Sequence, residues 1–591
     1  MNITFLPQNR TIQGQPGETV LQAAARAGIH IDGNCAGAGT CGKCLVKISG
    51  RAEQEAGYRL ACTELVWDGM IVQVPELETA DDRKKKLIRL PENFVPQPTV
   101  RKQLVRLTKT GLAESQSLQE RIQNALGQSE LVFPCQVLRV LPTLLKESQE
   151  LTLTLWGSQV LHAEAGDQQW KNYGVAVDMG TTTVVIMLWD LNKGQLVQVA
   201  AKTNPQSVYG ADVISRITGV MEDGQNLQKL QGLMIQCINE AVSSFEETEG
   251  VQAENIYRYS LVGNTTMSHI LLGIDPCPLA VSPFEPVFTR GVEVRALELG
   301  LKGNTNAGVH LAPNIAGHVG SDITAGILTT SLLDWQQGHL FLDIGTNGEI
   351  VLAGKGRAAA CSTAAGPAFE GSSIRQGMRA ALGAIEQVEI EEEQVRIQTI
   401  GGGEPLGICG SGIIDAVGEL IRTGLLDKSG RLLSKEKLRQ KGISEPLLEH
   451  VREEGRSSQF VLYFSPDGFR DVVLTQKDLR EVQLVKAAIS AGMTILMKEL
   501  GLELRELERI TIAGAFGSYI RRESAVNMGL LPNVEEDKFF FAGNTAGIGA
   551  AMILLSADCQ KAAEALARQI QHVELAARSD FQEYYMAAMG F

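Results

Sequence analysis

The chain has 591 residues, 44% of them hydrophobic and 21% charged, with a mean hydropathy near zero; this is an ordinary globular composition, too long for a single core, so several domains are expected. Its formal net charge of -14 works against nucleic acid and against an anionic membrane surface, both of which would repel it. No apolar run reaches the ~18 residues of a membrane span, and Met1-Asn2-Ile3-Thr4-Phe5-Leu6-Pro7 lacks the basic start and apolar core of a signal peptide, so a soluble, cytoplasmic protein is expected.

Two short strand-like runs, Asn2 to Leu6 and Arg10 to Gln13, lead into Glu18 to Gly28, which has helical spacing and a terminal glycine. Cys35, Cys41, Cys44 and Cys62 follow in the pattern Cys-x5-Cys-x2-Cys-x17-Cys. Four thiolates, three of them in one loop of small residues, meet the ligand count of a 2Fe-2S cluster. Ala36, Gly37, Ala38, Gly39 and Gly42 leave room, and free N–H groups, for the inorganic sulfurs. A structural zinc would favour paired Cys-x2-4-Cys elements, whereas here the fourth cysteine stands alone. Gly37 to Cys44 also nearly spells a P-loop, but Cys44 replaces the Mg2+-binding Ser/Thr and no apolar helix begins at Lys43. Residues 1–80 resemble a β-grasp 2Fe-2S ferredoxin domain, with Tyr58-Arg59-Leu60-Ala61-Cys62 as the approach to the fourth ligand. The spacing is nearer the adrenodoxin type, and the gap to Cys62 is shorter than in plant ferredoxins. The other six cysteines, Cys135, Cys237, Cys277, Cys361, Cys409 and Cys559, are scattered and read as mostly core residues.

Residues 81–98, with the basic run Arg83 to Lys86 and prolines at 91, 96 and 98, read as a linker. Within 99–170, Ser117 to Leu126 and Val137 to Leu145 have the spacing of helices and Leu151 to Trp156 that of a strand, giving a small α/β module with no chemistry of its own.

Residues 171–591 carry one turn twice. Asp178-Met179-Gly180-Thr181-Thr182-Thr183 lies between Tyr173 to Val177 and Val184 to Trp189, and Asp343-Ile344-Gly345-Thr346-Asn347-Gly348 lies between His339 to Leu342 and Glu349 to Ala353. A third strand follows each hairpin, Gln195 to Lys202 and Arg357 to Thr363. An internal duplication is expected, with a nucleotide site split between its copies. Glycine lets backbone approach a phosphate, N–H groups and Thr hydroxyls bond its oxygens, and an Asp holds Mg2+ through water or orients the attacking water. A later apolar strand, Glu508 to Ala513, ends in the small-residue turn Gly514 to Gly517.

Between these elements, Asn204 to Asp212 precedes a helix and Leu261 to Met267 runs from strand into turn. Ile408 to Asp415 is a Gly-rich turn opening a helix, which suits an anion on the free N–H groups of Gly410 and Ser411 and suits a close helix–strand contact equally well. Asp478 to Leu500 reads as a long helix and Gly543 to Gly549 opens another. His310 and His318 have no partner at ligand spacing and read as surface or core histidines.

The two turns and the later strand resemble the superfamily of actin, sugar kinases and heat-shock chaperone ATPases. The resemblance implies a duplicated, ribonuclease-H-like domain of two lobes. It makes Asp178, Gly180, Thr181 and Thr182, with Thr183, the first phosphate loop, and Asp343, Gly345, Thr346 and Asn347, with Gly348, the second. Gly514 and Gly517 become the adenosine turn, and Asp178 and Asp343 the carboxylates that hold Mg2+ or position water. The fold class expected is α/β and α+β multidomain: a β-grasp ferredoxin domain, a small α/β middle module and the duplicated domain.

Asn264, Asp343 to Glu349 and Gly410 to Asp415, together with the cysteine loop, extend the resemblance over essentially the whole chain to the reductive activators of corrinoid-dependent methyltransferase systems. In that family a 2Fe-2S cluster returns oxidised Co(II) to Co(I) on a corrinoid protein, and ATP hydrolysis makes the step possible. Co(II)/Co(I) in a protein lies below the ~-400 mV of plant-type ferredoxins, so something must offset that gap. The resemblance implies a 2Fe-2S cluster, ATP and Mg2+ as cofactors, a corrinoid protein and a reductase or low-potential electron donor as partners, and a homodimer. Two other readings remain: an ATP-coupled electron donor to another low-potential metalloenzyme, and a redox-sensing nucleotide-binding module that does not hydrolyse ATP.

Overall fold

The computed structural model of the chain describes residues 1–6, 9–27, 29, 31, 44–50, 57–74, 88–107, 116–210, 212–330, 332, 335–345, 347–366, 368–391, 393–455, 457–466, 470–514 and 520–591. The first sheet takes β1 (Asn2–Leu6), β2 (Arg10–Gln13), β3 (Leu45–Ser49), β4 (Gly57–Leu60) and β5 (Met70–Gln73) in the order β2-β1-β5-β3-β4. β1 and β5 run parallel and the other pairs antiparallel, as in a β-grasp sheet. Helix α1 (Val20–Arg26) starts with a capping box between Thr19 and Gln22 and buries Val20, Ala23 and Ala24. Their core partners include Ile3, Phe5, Met70 and Val72, which alternate inward along their strands.

β6 (Val100–Arg106), β7 (Glu150–Trp156) and β8 (Gln159–Ala165) form an antiparallel sheet. Helices α2 (Leu118–Leu126) and α3 (Cys135–Glu147) share its small core through Ile122, Val137 and Leu141. These elements fall within residues 99–170.

Part of the stretch read as a linker is packed on the large domain. Residues 81–87 lie outside the described part, but 88–98 are fastened down. Ile88 is buried in the core that joins the two lobes, with Leu90 and Phe94 packed against it. The Gln97 N–H donates to the Leu555 carbonyl at 2.7 Å, and the Ala557 N–H donates to Gln97 O at 3.2 Å. Prolines and charges signalled a linker; the three apolar side chains among them hold this part of it to the large domain.

The large domain is one topology built twice. β9 (Tyr173–Met179), β10 (Thr183–Asp190), β11 (Gln195–Thr203), β12 (Ile256–Gly263), β13 (Val292–Arg295) and β14 (Gly308–Leu311) pair in the order β11-β10-β9-β12-β14-β13. β15 (Gly338–Ile344), β16 (Gly348–Gly354), β17 (Arg357–Thr363), β24 (Leu507–Ala513) and β25 (Phe539–Gly543) pair as β25-β24-β15-β16-β17, with the short β26 (Gln571–His572) beside β17. In both, an antiparallel three-strand meander is extended by two parallel strands from its first member. Each copy also owns a 25-residue helix, α5 (Gln225–Glu249) in the first lobe and α9 (Gln476–Leu500) in the second, where Asp478 and Thr475 form the cap. The second lobe adds two three-stranded sheets between its third strand and α9, one of them made of β18 (Ala384–Ile390), β19 (Val395–Thr399) and β20 (Gly407–Ile408).

Two helices join the lobes: α7 (Ser321–Leu328), which ends the first, and α11 (Thr545–Leu555), which follows β25 of the second. All eleven residues of α11 are buried, because it packs on α7 and also against β9 and β12 of the other lobe. The approach is close. A methyl group on Gly549 would lie 2.8 Å from Ala325 Cα and would collide with the Ala325 carbonyl. Among the described residues no helix is long and apolar enough to cross a membrane.

Candidate functional site

Two of the four predicted cluster ligands lie among the described residues, beside the first sheet. Cys44 precedes β3 and Cys62 follows β4, and the pairing of Leu45 with Leu60 brings them together. The Ala61 N–H donates to Cys44 O at 2.7 Å and the Cys62 N–H to Cys44 Sγ at 3.4 Å. Both thiols are buried, at 1% and 7% exposure. Adjacent buried sulfurs with a backbone N–H on one of them suit an iron–sulfur cluster. Cys35 and Cys41 lie outside the described residues.

In the large domain the two Asp-Gly turns end β9 and β15, at the same place in each copy. Asp178 and Asp343 are half-buried, and with Asp322 in the first turn of α7 and Glu349 on β16 they set four carboxylates in one electrostatic field. Burial, then Asp322, pushes Asp178 up to about 7 against a hydrogen bond from Asn544. Burial, then Asp322 and Asp178, pushes Asp343 to about 7; burial pushes Asp322 to about 6, and Glu349 is raised well above the ordinary range by burial with Asp322 and Asp343. Among the described residues no cation opposes these shifts, so the donor set is one that a bound cation would relieve.

The turns around them are built from backbone. A Cβ on Gly180 would lie 2.5 Å from Thr183 O. At the end of β24, Gly514 takes φ +92, where a Cβ would lie 2.7 Å from Asp343 Oδ1, so only glycine lets this strand end rest on the Asp343 turn. Gly517 and Thr346 lie outside the described residues. Gly345 N–H donates to Asn347 O at 3.0 Å and closes that turn. In the first turn, Asn264 Nδ2 donates to Thr181 Oγ1 at 3.0 Å while its Oδ1 caps the helix Thr265–Leu271, so the expected turn after Leu261 to Gly263 is a capped helix start. Fully buried Arg216 donates to Thr181 O at 2.6 Å. Across the cleft, Thr182 Oγ1 donates to Glu370 Oε2 at 3.0 Å, and Arg379 Nη1 donates to Thr203 Oγ1 at 3.2 Å. Thr183 opens β10.

Gly410 and Ser411 begin α8 (Gly410–Arg422) in the core of the second lobe. Ser411 is 5% exposed and its hydroxyl meets Cys409 Sγ at 3.3 Å. A Cβ on the next glycine, Gly412, would collide with the Ile385 carbonyl of β18, so the close-packing reading of this turn accounts for at least that glycine. His310 is buried against Glu293 at 2.9 Å, and His318 bonds to Leu279 O at 2.8 Å; both belong to the packing.

The sequence reading passed over Asp322 and Glu370, and saw Asn264, Glu349 and Asn544 only as parts of longer motifs. A signal for two of them was present. Gly320-Ser321-Asp322 and Gly543-Asn544-Thr545 open α7 and α11, which hold equivalent places in the copies, so carrying the repeat beyond the hairpins would have found the pair.

Two lobes of one duplicated fold, facing each other across a pair of phosphate-type turns and continuous with a ferredoxin-type sheet, define an actin and sugar-kinase-like (ASKHA) protein with an iron–sulfur domain. Residues 337–591 match the C-terminal domain of RACo, the ASKHA domain; 173–334 the RACo middle region; 90–169 the RACo linker region; and 3–66 the 2Fe-2S iron-sulfur cluster binding domain. The chain is 31% identical over 593 residues to the corrinoid activation enzyme RamQ of Eubacterium limosum, covering 99% of this chain and 98% of that protein. It is 24% identical to the Co(II) methylated amine-specific corrinoid protein reductase of Methanosarcina barkeri, covering 71% and 77%. A solved structure, the reductive activator for corrinoid, iron-sulfur protein, matches with a TM-score of 0.76 at 33% identity over 100% of this chain and 98% of that one. The chain belongs to the family of RACo-type corrinoid reductive activators. In that family's division the small β6–β8 module falls in the linker region, and the first lobe is the middle region.

Proposed function

We infer that the chain is an ATP-dependent reductive activator of corrinoid proteins, returning Co(II) to Co(I) with an electron from its N-terminal 2Fe-2S domain. One observation carries this: a ferredoxin sheet and a duplicated ASKHA domain stand in one chain whose likeness to corrinoid activators runs from end to end.

We propose that Cys35, Cys41, Cys44 and Cys62 hold the cluster, which supplies a one-electron carrier. Thr181, Thr182 and Thr183 with Gly180 take the phosphates from the first lobe, and Gly345, Thr346, Asn347 and Gly348 take them from the second, with Gly514 and Gly517 beside the adenosine. The crowded, half-buried carboxylates support Asp178 and Asp343, joined by Asp322, as the groups that would hold Mg2+ through water and orient the attacking water. Asn544 fixes Asp178 from the opposite lobe. Closure of the lobes on the nucleotide changes how the large domain grips the corrinoid protein, and hydrolysis releases that grip. A reductase or other low-potential donor recharges the ferredoxin domain, the chain pairs as a homodimer, and the work is done in the cytoplasm.

The test is anaerobic. Reduced protein is mixed with a Co(II) corrinoid protein and visible absorption is followed for Co(I), with and without ATP-Mg. Co(I) should appear only with ATP, and should be lost in Asp343→Ala and in Cys62→Ser. Hydrolysis without Co(I) would move the acceptor to another low-potential metalloenzyme, and no hydrolysis at all would leave a redox-sensing nucleotide module.

A further inference from the structure

The turn after β17 carries a carboxylate to the seam between the two phosphate turns, and its mounting is rigid. Glu370 is flanked by Phe369, which is fully buried, and by Gly371, whose N–H donates to Ala368 O at 2.9 Å. Gly371 takes φ +75 with its backbone pressed on the next loop: a Cβ there would lie 2.6 Å from Met378 N, and the Met378 N–H is itself bonded to Ile408 O at 2.8 Å. A long side chain that would ordinarily sample many rotamers therefore starts from a fixed point. Its Oε2 accepts the Thr182 hydroxyl at 3.0 Å, a contact between residues 188 positions apart. Its Oε1 lies beside Gly345, 3.9 Å from where a Cβ would stand. Thr182 belongs to the first phosphate turn and Gly345 to the second, so one carboxylate bonds the first half-site and lies near the second.

We propose that Glu370 is a clasp between the two phosphate turns, and that the terminal phosphate of a nucleoside triphosphate replaces it. The proposal rests on the reading of this cleft as a nucleotide site. The Thr182 hydroxyl has one proton to donate, so the carboxylate and a phosphate oxygen compete for it, and two anions side by side repel. While the clasp is made, the lobes are held at hydrogen-bonding distance and the Thr182 donor is satisfied. When a phosphate takes the donor, Glu370 is released and the spacing of the lobes passes to the nucleotide. Glu370 is thus a positioning residue, and the ligand that displaces it must present an anion to both turns at once, which a triphosphate does and a diphosphate lacking the terminal group does not.

Calorimetric titration of the full-length, cluster-loaded protein with a non-hydrolysable triphosphate analogue and with ADP, both with Mg2+, tests this in wild type, Glu370→Ala, Glu370→Gln and Thr182→Val. Glu370→Ala should bind the triphosphate about tenfold more tightly, the value of one charge-assisted hydrogen bond no longer surrendered, with ADP affinity changed much less. Glu370→Gln keeps an acceptor oxygen without the charge and should fall between. Thr182→Val loses the donor together with the clasp, so its triphosphate affinity should fall well below that of Glu370→Ala. Small-angle scattering gives a second readout: without nucleotide, Glu370→Ala should be more open than wild type, and with the triphosphate the two should coincide. Wild-type binding with no gain, or a loss, in Glu370→Ala overturns the clasp and puts Glu370 in the nucleotide-bound state. Wild type that binds no nucleotide overturns the nucleotide reading and the clasp with it.

Discussion

Replacing Asp343 with Asn should stabilise the nucleotide-free chain above neutral pH while abolishing its ATP-dependent activity. The Asp343 carboxyl is pushed from 3.8 to about 7, by burial first and then by Asp322 and Asp178. An acid whose folded-state pKa is raised penalises the folded state when ionised. The penalty is absent below 3.8, grows as pH rises and is complete above about 7. At ~1.4 kcal/mol per pH unit this amounts to ~4 kcal/mol at most. Asp343 is only half-buried, and water at the cleft mouth screens the charge, so roughly 2 kcal/mol is the working figure. For domains of this size that is a rise of roughly 4 to 8 °C in unfolding temperature. The assay is thermal unfolding of wild type and Asp343→Asn in chelator, without nucleotide, at pH 8.5 and pH 5. The gap should favour the variant at pH 8.5 and be smaller at pH 5. A variant equal to or less stable than wild type at pH 8.5, or a gap independent of pH, would refute the account of a repulsive carboxylate cluster.

Gly549→Ala should force α7 and α11 apart, because the added methyl meets Ala325 backbone rather than a side chain that can turn away; a loss of about 1–3 kcal/mol is expected in chemical unfolding, with a lower rate of ATP hydrolysis. Cys62→Ser should remove the visible absorption and the reduced-state paramagnetic signal of the cluster, and calorimetry should show nucleotide binding unchanged. Glu293 is opposed by burial but held at about 2 by hydrogen bonds from His310 and Arg258, so its contribution is present above about 4.5 and is lost as pH falls toward 2. Glu293→Gln should therefore weaken the first lobe in urea at pH 7, and the difference from wild type should narrow at pH 3.

The hairpins were legible because their local chemistry and their global place agree. β-Branched runs on both sides of a Gly-Thr turn are satisfied by the meander alone, as Val184 to Leu188 against Val175 to Met179 show. The cysteine spacing was legible for the same reason, since Cys44 and Cys62 are brought together by the simple pairing of β3 with β4. α11 was legible as a helix but not as a bridge. Every side is buried, so its sequence has no polar face from which to read an orientation, and its contacts lie on a lobe far away in the chain. Glu370 was illegible for another reason: its turn of Ala, Gly and Phe carries no period, and its partner Thr182 is in the other copy. The packing of residues 88–98 was not legible because composition reports what a segment prefers in isolation, and Ile88, Leu90 and Phe94 are too irregularly spaced to announce the surface that receives them.

The fastening of residues 88–98 also has a place in the cleft. Gln97 is held at Leu555 and Ala557, at the foot of the helix whose head, Asn544, bonds Asp178. Residues 88–98 therefore move with that helix, and the ferredoxin sheet is joined to the large domain beside the element that reaches both lobes.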